Sequence, residues 1–326
     1  MTISVIICAY TMARWDDILA AVASLRTQHL PATEILLVID HNSELLARCK
    51  AEIAGVIVIE NNFAQGLSGS RNTGIAASKG SLIAFLDDDA EANPEWLCSM
   101  CQHFSNPLVL GTGAASLPLW LGTRPRWFPD EFLWVVGCSY TGIKSGRSRN
   151  VLGSAMCVRR EVFERVGGFD PSLGRTGSSL PISCEETEFC MRANRGCAPG
   201  WFVVEATATI RHKVSGERLT FGYFLKRCLA EGISKARILS VAGASGELSV
   251  ERSYVYEVLG RGFVRGIADT VLRFDAMGIA RAFAIFAGLA ATTAAFVYAR
   301  IGAGPRGNPS ASGGLTDASA APSLKD

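Results

Sequence analysis

The segment SLIAFLDDDA, residues 81–90, joins an apolar run to three consecutive aspartates. The apolar run predicts a buried strand, and the abrupt change to Asp87, Asp88 and Asp89 predicts where that strand ends. Like charges held together repel each other and raise each other's pKa unless a cation lies between them. Clustered carboxylate oxygens suit a hard divalent ion, Mg²⁺ or Mn²⁺. The alternative interpretation is a solvated acidic turn that caps the following helix.

Three further apolar runs precede this segment and alternate with helical patterns. They are SVIICA (residues 4–9), EILLVI (34–39) and VIVIE (56–60). This alternation predicts an α/β fold with a mostly parallel sheet and helices on both faces. Because ligands of such sheets bind at the carboxyl ends of the strands, we expect Asp40, the loop GLSGSRNTG and the aspartates to be neighbours.

Composition excludes several classes of protein. The chain has 326 residues, of which 48% are hydrophobic and 19% charged, with a formal net charge of +2. These values predict a folded chain and give no reason to expect nucleic-acid binding. The opening MTISVIICAYT lacks the pattern of a secretory signal, so we expect a cytoplasmic protein with reduced cysteines. Cys98 and Cys101 have no second CxxC partner, and we interpret them as helix packing rather than as metal ligands.

The loop GLSGSRNTG, residues 66–74, is a candidate anion site. It offers backbone N–H groups at the start of a helix, and Arg71 adds a planar charged group for phosphate or carboxylate. The loop matches neither GxGxxG nor GxxxxGK[ST]. This argues against a dinucleotide-binding oxidoreductase and against a P-loop NTPase.

Residues 117–150 are rich in aromatic side chains and lack a clear period. The aromatic residues are Trp120, Trp127, Phe128, Phe132, Trp134 and Tyr140. Such a density favours the wall of a binding site or an interface. Packing in an ordinary core is the alternative.

The chain changes character after about residue 219, where it becomes helical and rich in Arg and Lys. Residues 282–299 then form an uncharged run between Arg281 and Arg300. As a helix this run is about 27 Å long, just short of the apolar core of a bilayer. Three interpretations remain open: a membrane span, a helix lying in or against the membrane surface, and a buried helix of a soluble protein.

Five motifs, taken in order, resemble the inverting family-2 glycosyltransferases with the GT-A fold. They are SVIICAYT, LLVIDHNS, ENNFAQGLSGSRNTGIAASKGSLIAFLDDDA, GSAMCVRREVFERVGGFDPSLG and EETEFCMR, within about residues 3–240. The resemblance implies a nucleotide-diphospho-sugar donor, with UDP-sugar expected, and a divalent metal. The VIDHN form resembles a subset acting on lipid-linked sugars, including glucuronosyl-type enzymes. Because the chain lacks the QxxRW motif of processive synthases, we expect it to add one sugar, or few.

The resemblance also assigns donor and metal residues by position. Ala9, Tyr10 and Asp40 would border the base and ribose, and Arg71 would lie near the base or phosphates. Asp87 and Asp88 would contact the ribose and diphosphate. The metal would be held by Asp89, with His212 either close to it or at the protein surface.

The catalytic base of the family is an acidic residue that opens a helix, and here that position reads Glu185-Glu186. Glu186 takes the place usually held by Asp, and the choice between the two glutamates stays open. Trp127, Trp134 and Gly153 are assigned to the acceptor, which we expect to be a glycan, polyprenyl-linked, at the membrane surface.

These expectations divide the chain into a GT-A glycosyltransferase domain (residues 1–240), a C-terminal helical, membrane-associated region (241–301) and a disordered tail (302–326). The protein would lie on the cytoplasmic face of the membrane, where one C-terminal span would be compatible with the sequence. Two rivals remain: a nucleotidyltransferase of similar α/β architecture, and a non-catalytic protein that binds sugar nucleotides.

Overall fold

A computed structural model describes residues 1–173, 184–242 and 252–302. The first half alternates strands and helices, as the apolar runs predict. The strands are β1 (Ile3–Ala9), β2 (Glu34–Ile39), β3 (Ile57–Glu60), β4 (Leu82–Asp87) and β5 (Ala90–Ala92). The helices are α1 (Trp15–Arg26), α2 (Ser43–Glu52), α3 (Leu67–Ala77) and α4 (Trp96–Cys101). On α1 the spacing i, i+4, i+7 buries Ile18, Val22 and Leu25 against the sheet.

The second half contains longer strands and most of the helical mass. Its strands are β6 (Val109–Trp120), β7 (Gly146–Ser148), β8 (Met156–Arg159) and β9 (Trp201–Val214). Its helices are α5 (Arg160–Val166), α6 (Glu185–Gly196), α7 (Phe221–Ala242), α8 (Gly260–Leu272) and α9 (Met277–Gly302). A 3-10 segment covers Asp130–Val136, and a π-helical turn, Tyr254–Leu259, leads into α8.

All nine strands of the described residues form one sheet, in the order β3-β2-β1-β4-β8-β6-β9-β5, with β7 paired to β9. The first four strands are parallel, as predicted. Beyond them the sheet is mixed, because β8 runs antiparallel to both β4 and β6, and β5 runs antiparallel to β9. Antiparallel strands can be joined without a crossover helix. The alternation of strands and helices in the first half therefore does not predict the antiparallel pairs.

The register of the parallel strands brings their polar ends together. Cys8 of β1 lies opposite Asp87 of β4, and Ala9 lies opposite Ile39, the residue before Asp40. On the antiparallel side, Ala90 lies opposite His212 of β9. Residues from distant parts of the chain therefore converge on the carboxyl edge of β1 and β4.

The C-terminal helices share a hydrophobic cluster with the aromatic segment. The cluster contains Phe128, Phe132, Val135, Val136, Val214, Phe224, Cys228, Leu259, Ala284 and Ile285. Helices α7 and α9 approach closely, since a Cβ on Gly232 would lie 2.2 Å from the carbonyl oxygen of Thr292. The boundary expected at residue 240 falls inside α7, and residues on both sides of it contribute to this core.

Within the described residues, one helix, α9, is long and apolar enough to cross a membrane by length and composition. Its small residues, among them Gly278, Ala282 and Gly288, face the protein, whereas Phe283 and Phe286 are exposed. The predicted tail, apart from Gly302 at the end of α9, lies outside the described residues.

Candidate active site

A cleft of about 600 Å³ opens at the carboxyl edge of β1 and β4. It brings together most of the residues selected from the sequence. Those lining it are Ala9, Tyr10, Asp40, Arg71, Asp87, Asp88, Asp89, Trp134, Gly153, Glu185, Glu186 and His212. Trp127 is not among the lining residues, because its indole packs against the rings of Phe128, Phe221 and Phe224. For Trp127 the structure shows core packing, the alternative considered above.

Asp87, Asp89 and His212 form a group that is able to hold a metal ion. One potential ligand atom from each residue lies within 4.8 Å of the other two. Nε2 of His212 is 3.3 Å from Oδ1 of Asp89 and 4.0 Å from Oδ2 of Asp87. The two carboxylate oxygens suit Mg²⁺ or Mn²⁺, whereas the imidazole nitrogen is a transition-metal ligand and so favours Mn²⁺ over Mg²⁺.

Two arginines neutralise the acidic cluster, and the sequence interpretation missed both. Arg14 contacts Oδ1 of Asp88 through Nη1 at 2.5 Å and Oδ2 of Asp89 through Nη2 at 3.0 Å. Arg218 approaches Oδ2 of Asp89 at 3.6 Å. Arg14 follows the first strand and therefore lies at the same edge of the sheet, which is the signal that would have identified it.

Burial and charge act in opposite directions within the cluster. Burial raises the pKa of Asp88 to about 7; Arg14 opposes this shift, and the carboxylates of Asp89 and Asp87 add to it. Burial also acts to raise the pKa of Asp89, but His212, Arg14 and Arg218 together lower it below its usual value. Across the described residues, Oδ2 of Asp88 and Nδ1 of His212 are buried side-chain atoms without a hydrogen-bond partner. Buried polar atoms of this kind fit a site that is completed by a polar ligand.

The ring of His212 is held by a close backbone contact. A Cβ on Gly137 would lie 3.1 Å from Cε1 of the imidazole, and Gly137 has a left-handed φ of +88°. Oγ of Ser116 on β6 donates a hydrogen bond to the carbonyl of Gly137 at 3.1 Å. Glycine is favoured here by both conformation and space, and this contact fixes the residue after the segment Asp130–Val136 against His212.

Arg71 is a buried cation that links the carboxyl end of β4 to the start of α6. Its Nη1 lies 3.3 Å from Oε1 of Glu185, and its Nη2 lies 3.6 Å from Oδ1 of Asp87. The guanidinium also lies over the ring of Phe169, 5.2 Å from its centroid. Since Arg71 and Glu185 are both almost fully buried, each requires the other's charge.

The two candidate bases differ in their surroundings. Both glutamates line the cleft, but Glu185 is 1% exposed and paired with Arg71, whereas Glu186 is half-buried. A proton acceptor must reach the hydroxyl that it deprotonates. The geometry therefore favours Glu186 over Glu185 as the candidate base.

Asp40 and Tyr10 form the outer rim of the cleft. The carboxylate of Asp40 accepts hydrogen bonds from the side chain of Asn61 at 2.7 Å and from the backbone N–H of Gly66 at 2.9 Å. Asp40 thus shapes the loop that leads into α3. Tyr10 is 56% exposed, and the Arg14 guanidinium lies 5.5 Å from its ring centroid.

Gly153, which was assigned to the acceptor, lies against Arg71. A Cβ at this position would lie 2.9 Å from Nη1 and 3.0 Å from Nη2 of the guanidinium. Because the resemblance implies that Arg71 lies near the donor phosphates, Gly153→Ala is expected to displace Arg71 and to weaken binding of UDP with Mn²⁺ by about tenfold, measured by calorimetry. The matched control is Gly222→Ala, because a Cβ on Gly222 meets no atom within 4 Å. Equal affinities for the two variants would contradict this role of Gly153.

The mixed nine-stranded sheet has the GT-A fold of known glycosyltransferase structures. The chain belongs to glycosyl transferase family 2, whose model matches residues 4–167. A glucosyl-dolichyl phosphate glucuronosyltransferase from Haloferax volcanii is 31% identical over 241 residues, which are 72% of this chain and 76% of the relative. The resemblance drawn from the five motifs is thereby confirmed.

Two solved structures share the fold. GalNAc-T7, crystallised with UDP, GalNAc and Mn²⁺, superposes with a TM-score of 0.52 and 17% identity. The match covers 79% of this chain but 54% of that structure. The mannosyltransferase PcManGT from Pyrobaculum calidifontis, in complex with GDP-Man and Mn²⁺, also gives a TM-score of 0.52, at 13% identity over 94% of this chain and 76% of that one.

Proposed function

We propose that this protein is an inverting glycosyltransferase that moves one sugar from a UDP-sugar to a hydroxyl of a lipid-linked glycan. The observation that carries the proposal is the single cleft that holds the Asp87, Asp89 and His212 group together with Glu186. A leaving diphosphate requires a group that stabilises its negative charge, and an attacking hydroxyl requires a proton acceptor. The proposed reaction therefore needs both kinds of group in one site. The relative from Haloferax volcanii, whose name gives a glucosyl-dolichyl phosphate substrate, supports the acceptor class.

The residues of the cleft divide the chemical work between its two sides. Asp87, Asp89 and His212 would hold a divalent ion, which supplies Lewis-acid stabilisation of the charge that grows on the departing diphosphate. Glu186 accepts the proton of the acceptor hydroxyl as its oxygen attacks the anomeric carbon from the face opposite the diphosphate. One displacement of this kind inverts the anomeric configuration.

The test begins with the donor. Thermal shifts are measured with UDP-, GDP- and dTDP-sugars, including UDP-glucuronic acid and UDP-glucose, with and without Mn²⁺. We expect stabilisation by a UDP-sugar that depends on the metal. Transfer to short-chain glucosyl polyprenyl phosphate is then followed by mass spectrometry, with the anomeric configuration of the product determined by NMR. Release of pyrophosphate from UTP and a sugar 1-phosphate, with no transfer from any UDP-sugar, would indicate a nucleotidyltransferase and overturn the proposal.

We also propose that α8 and α9 rest on the cytoplasmic face of an anionic membrane. Apolar side chains are exposed along both helices and the turn between them: Phe263, Val264, Ile267, Val271, Leu272, Phe274, Ile279, Phe283 and Phe286. Phe274, in the turn, is 91% exposed. Exposed arginines nearby, Arg261 and Arg273, favour anionic headgroups. The cytoplasmic side agrees with the ten unpaired cysteines.

Charged substitutions on this apolar surface test membrane binding without deleting a helix that contributes to the core. Phe274→Asp combined with Phe283→Asp is expected to lower partition onto phosphatidylglycerol-containing vesicles by at least about tenfold. Each substitution replaces an apolar ring that would be buried in the membrane surface with a charged group. Sedimentation with vesicles measures the effect. Leu108→Asp, an exposed apolar position on a different surface, is the control. Unchanged partition of the double variant would reject the membrane-binding surface.

A further inference from the structure

Trp134 reaches the cleft from the segment Asp130–Val136, and its orientation is set by the C-terminal region. Its indole Nε1 donates a hydrogen bond to the hydroxyl of Tyr254 at 2.9 Å. That hydroxyl in turn donates to the backbone carbonyl of Glu131 at 2.6 Å. A phenolic hydroxyl that accepts one hydrogen bond and donates another has a fixed direction, so it holds the indole in one orientation.

Tyr254 is itself held from two sides. Its ring packs edge-on against Tyr140, with centroids 4.9 Å apart. Glu131 is anchored by Arg265 of α8, whose Nη2 lies 2.6 Å from Oε1 of the carboxylate. The approach of α8 is close, since a Cβ on Gly262 would lie 2.2 Å from the same oxygen. The network therefore joins the π-helical turn and α8 to the cleft wall.

The same short segment also reaches the metal-binding group. Trp134 and Gly137 both line the cleft, and Gly137 packs against the imidazole of His212. The indole of Trp134 is fixed by Tyr254, and the backbone at Gly137 is fixed against His212. The residues between these two contacts therefore have little conformational freedom. Such a rigid aromatic surface beside the transfer site suits the apolar face of a sugar ring.

We infer that Tyr254 is a positioning residue for the acceptor: it fixes the indole of Trp134, on which a glycosyl unit of the acceptor packs. The C-terminal helices thus complete the acceptor side of the cleft in addition to contacting the membrane. This inference rests on the proposed function and names the part of the site that takes the acceptor sugar.

Tyr254→Phe removes the hydroxyl and keeps the ring that packs on Tyr140. The KM for short-chain glucosyl polyprenyl phosphate is expected to rise about fivefold, which corresponds to the net loss of one hydrogen bond. The value of kcat should change less. Hydrolysis of the UDP-sugar without acceptor should keep its rate. Because Tyr254 acts through Trp134, adding Tyr254→Phe to Trp134→Phe should raise the KM no further. Tyr256→Phe, two residues along the same turn and 77% exposed, is the control.

A second measurement needs no acceptor. Quenching of tryptophan fluorescence by acrylamide, taken as the difference between each protein and its Trp134→Phe counterpart, reports how accessible this indole is to the quencher. It should increase in Tyr254→Phe and stay unchanged in Tyr256→Phe. Unchanged quenching, additive effects on KM, or an equal loss of hydrolysis and transfer would overturn the inference. Failure of the wild-type protein to use any UDP-sugar would instead reject the proposed function.

Discussion

Asp89→Asn is expected to lower the rate of sugar transfer by about a thousandfold. A loss of this size is typical when a group that stabilises the charge of the leaving group is removed. Asp89 is the carboxylate nearest to His212 and also contacts Arg14 and Arg218. The amide keeps the size of the side chain but loses the charge that attracts a divalent ion. Transfer and donor hydrolysis are measured across a series of Mn²⁺ concentrations, and binding of Mn²⁺ with UDP is followed by electron paramagnetic resonance.

Asp16→Asn provides the matched control, because Asp16 is an exposed carboxylate in the first turn of α1. It should transfer sugar at the wild-type rate. Full activity of Asp89→Asn, or activity that is independent of Mn²⁺ in the wild-type protein, would remove the metal from the reaction. A loss of activity that high Mn²⁺ restores in Asp89→Asn would show weakened binding and agree with the assignment.

Arg14 and Arg218 add a physical constraint to this prediction. Both guanidinium groups place positive charge beside the acidic cluster, Arg14 at Asp88 and Asp89 and Arg218 at Asp89. They therefore hold the acidic cluster together, and its geometry is set by the fold. Preorganised charge of this kind costs no rearrangement during the reaction.

The meeting of Asp40, Arg71 and Asp87 in one cleft was predictable because simple topology determines it. Asp40, Arg71 and Asp87 are 31 and 16 positions apart, but each lies at or beyond the carboxyl end of a strand of the parallel half. Parallel strands place their carboxyl ends on one edge, so strand assignments alone bring these residues together. The family motifs gave the same residues independently.

The aromatic wall of the cleft was predictable only in part, because its contacts join distant segments of the chain. The sequence cannot distinguish Trp134, whose indole reaches the cleft, from Trp127, which packs against Phe221 and Phe224. Both belong to one aperiodic aromatic segment. The residue that fixes Trp134 is Tyr254, which lies 120 positions away in the sequence. No local sequence pattern predicts that contact.

The paired glutamates at the start of α6 should separate into two functions. Glu186→Gln is expected to keep donor binding and lower kcat for transfer by about a thousandfold, because the amide cannot accept the acceptor's proton. Glu185→Gln should instead lower the free energy of unfolding by about 3 kcal/mol, since it leaves the buried charge of Arg71 poorly compensated. Thermal unfolding and transfer rates are measured on both variants, with UDP binding to confirm an intact donor site. If Glu185→Gln abolishes transfer without loss of stability while Glu186→Gln remains active, Glu185 is the base and the proton leaves toward the buried side of the cleft.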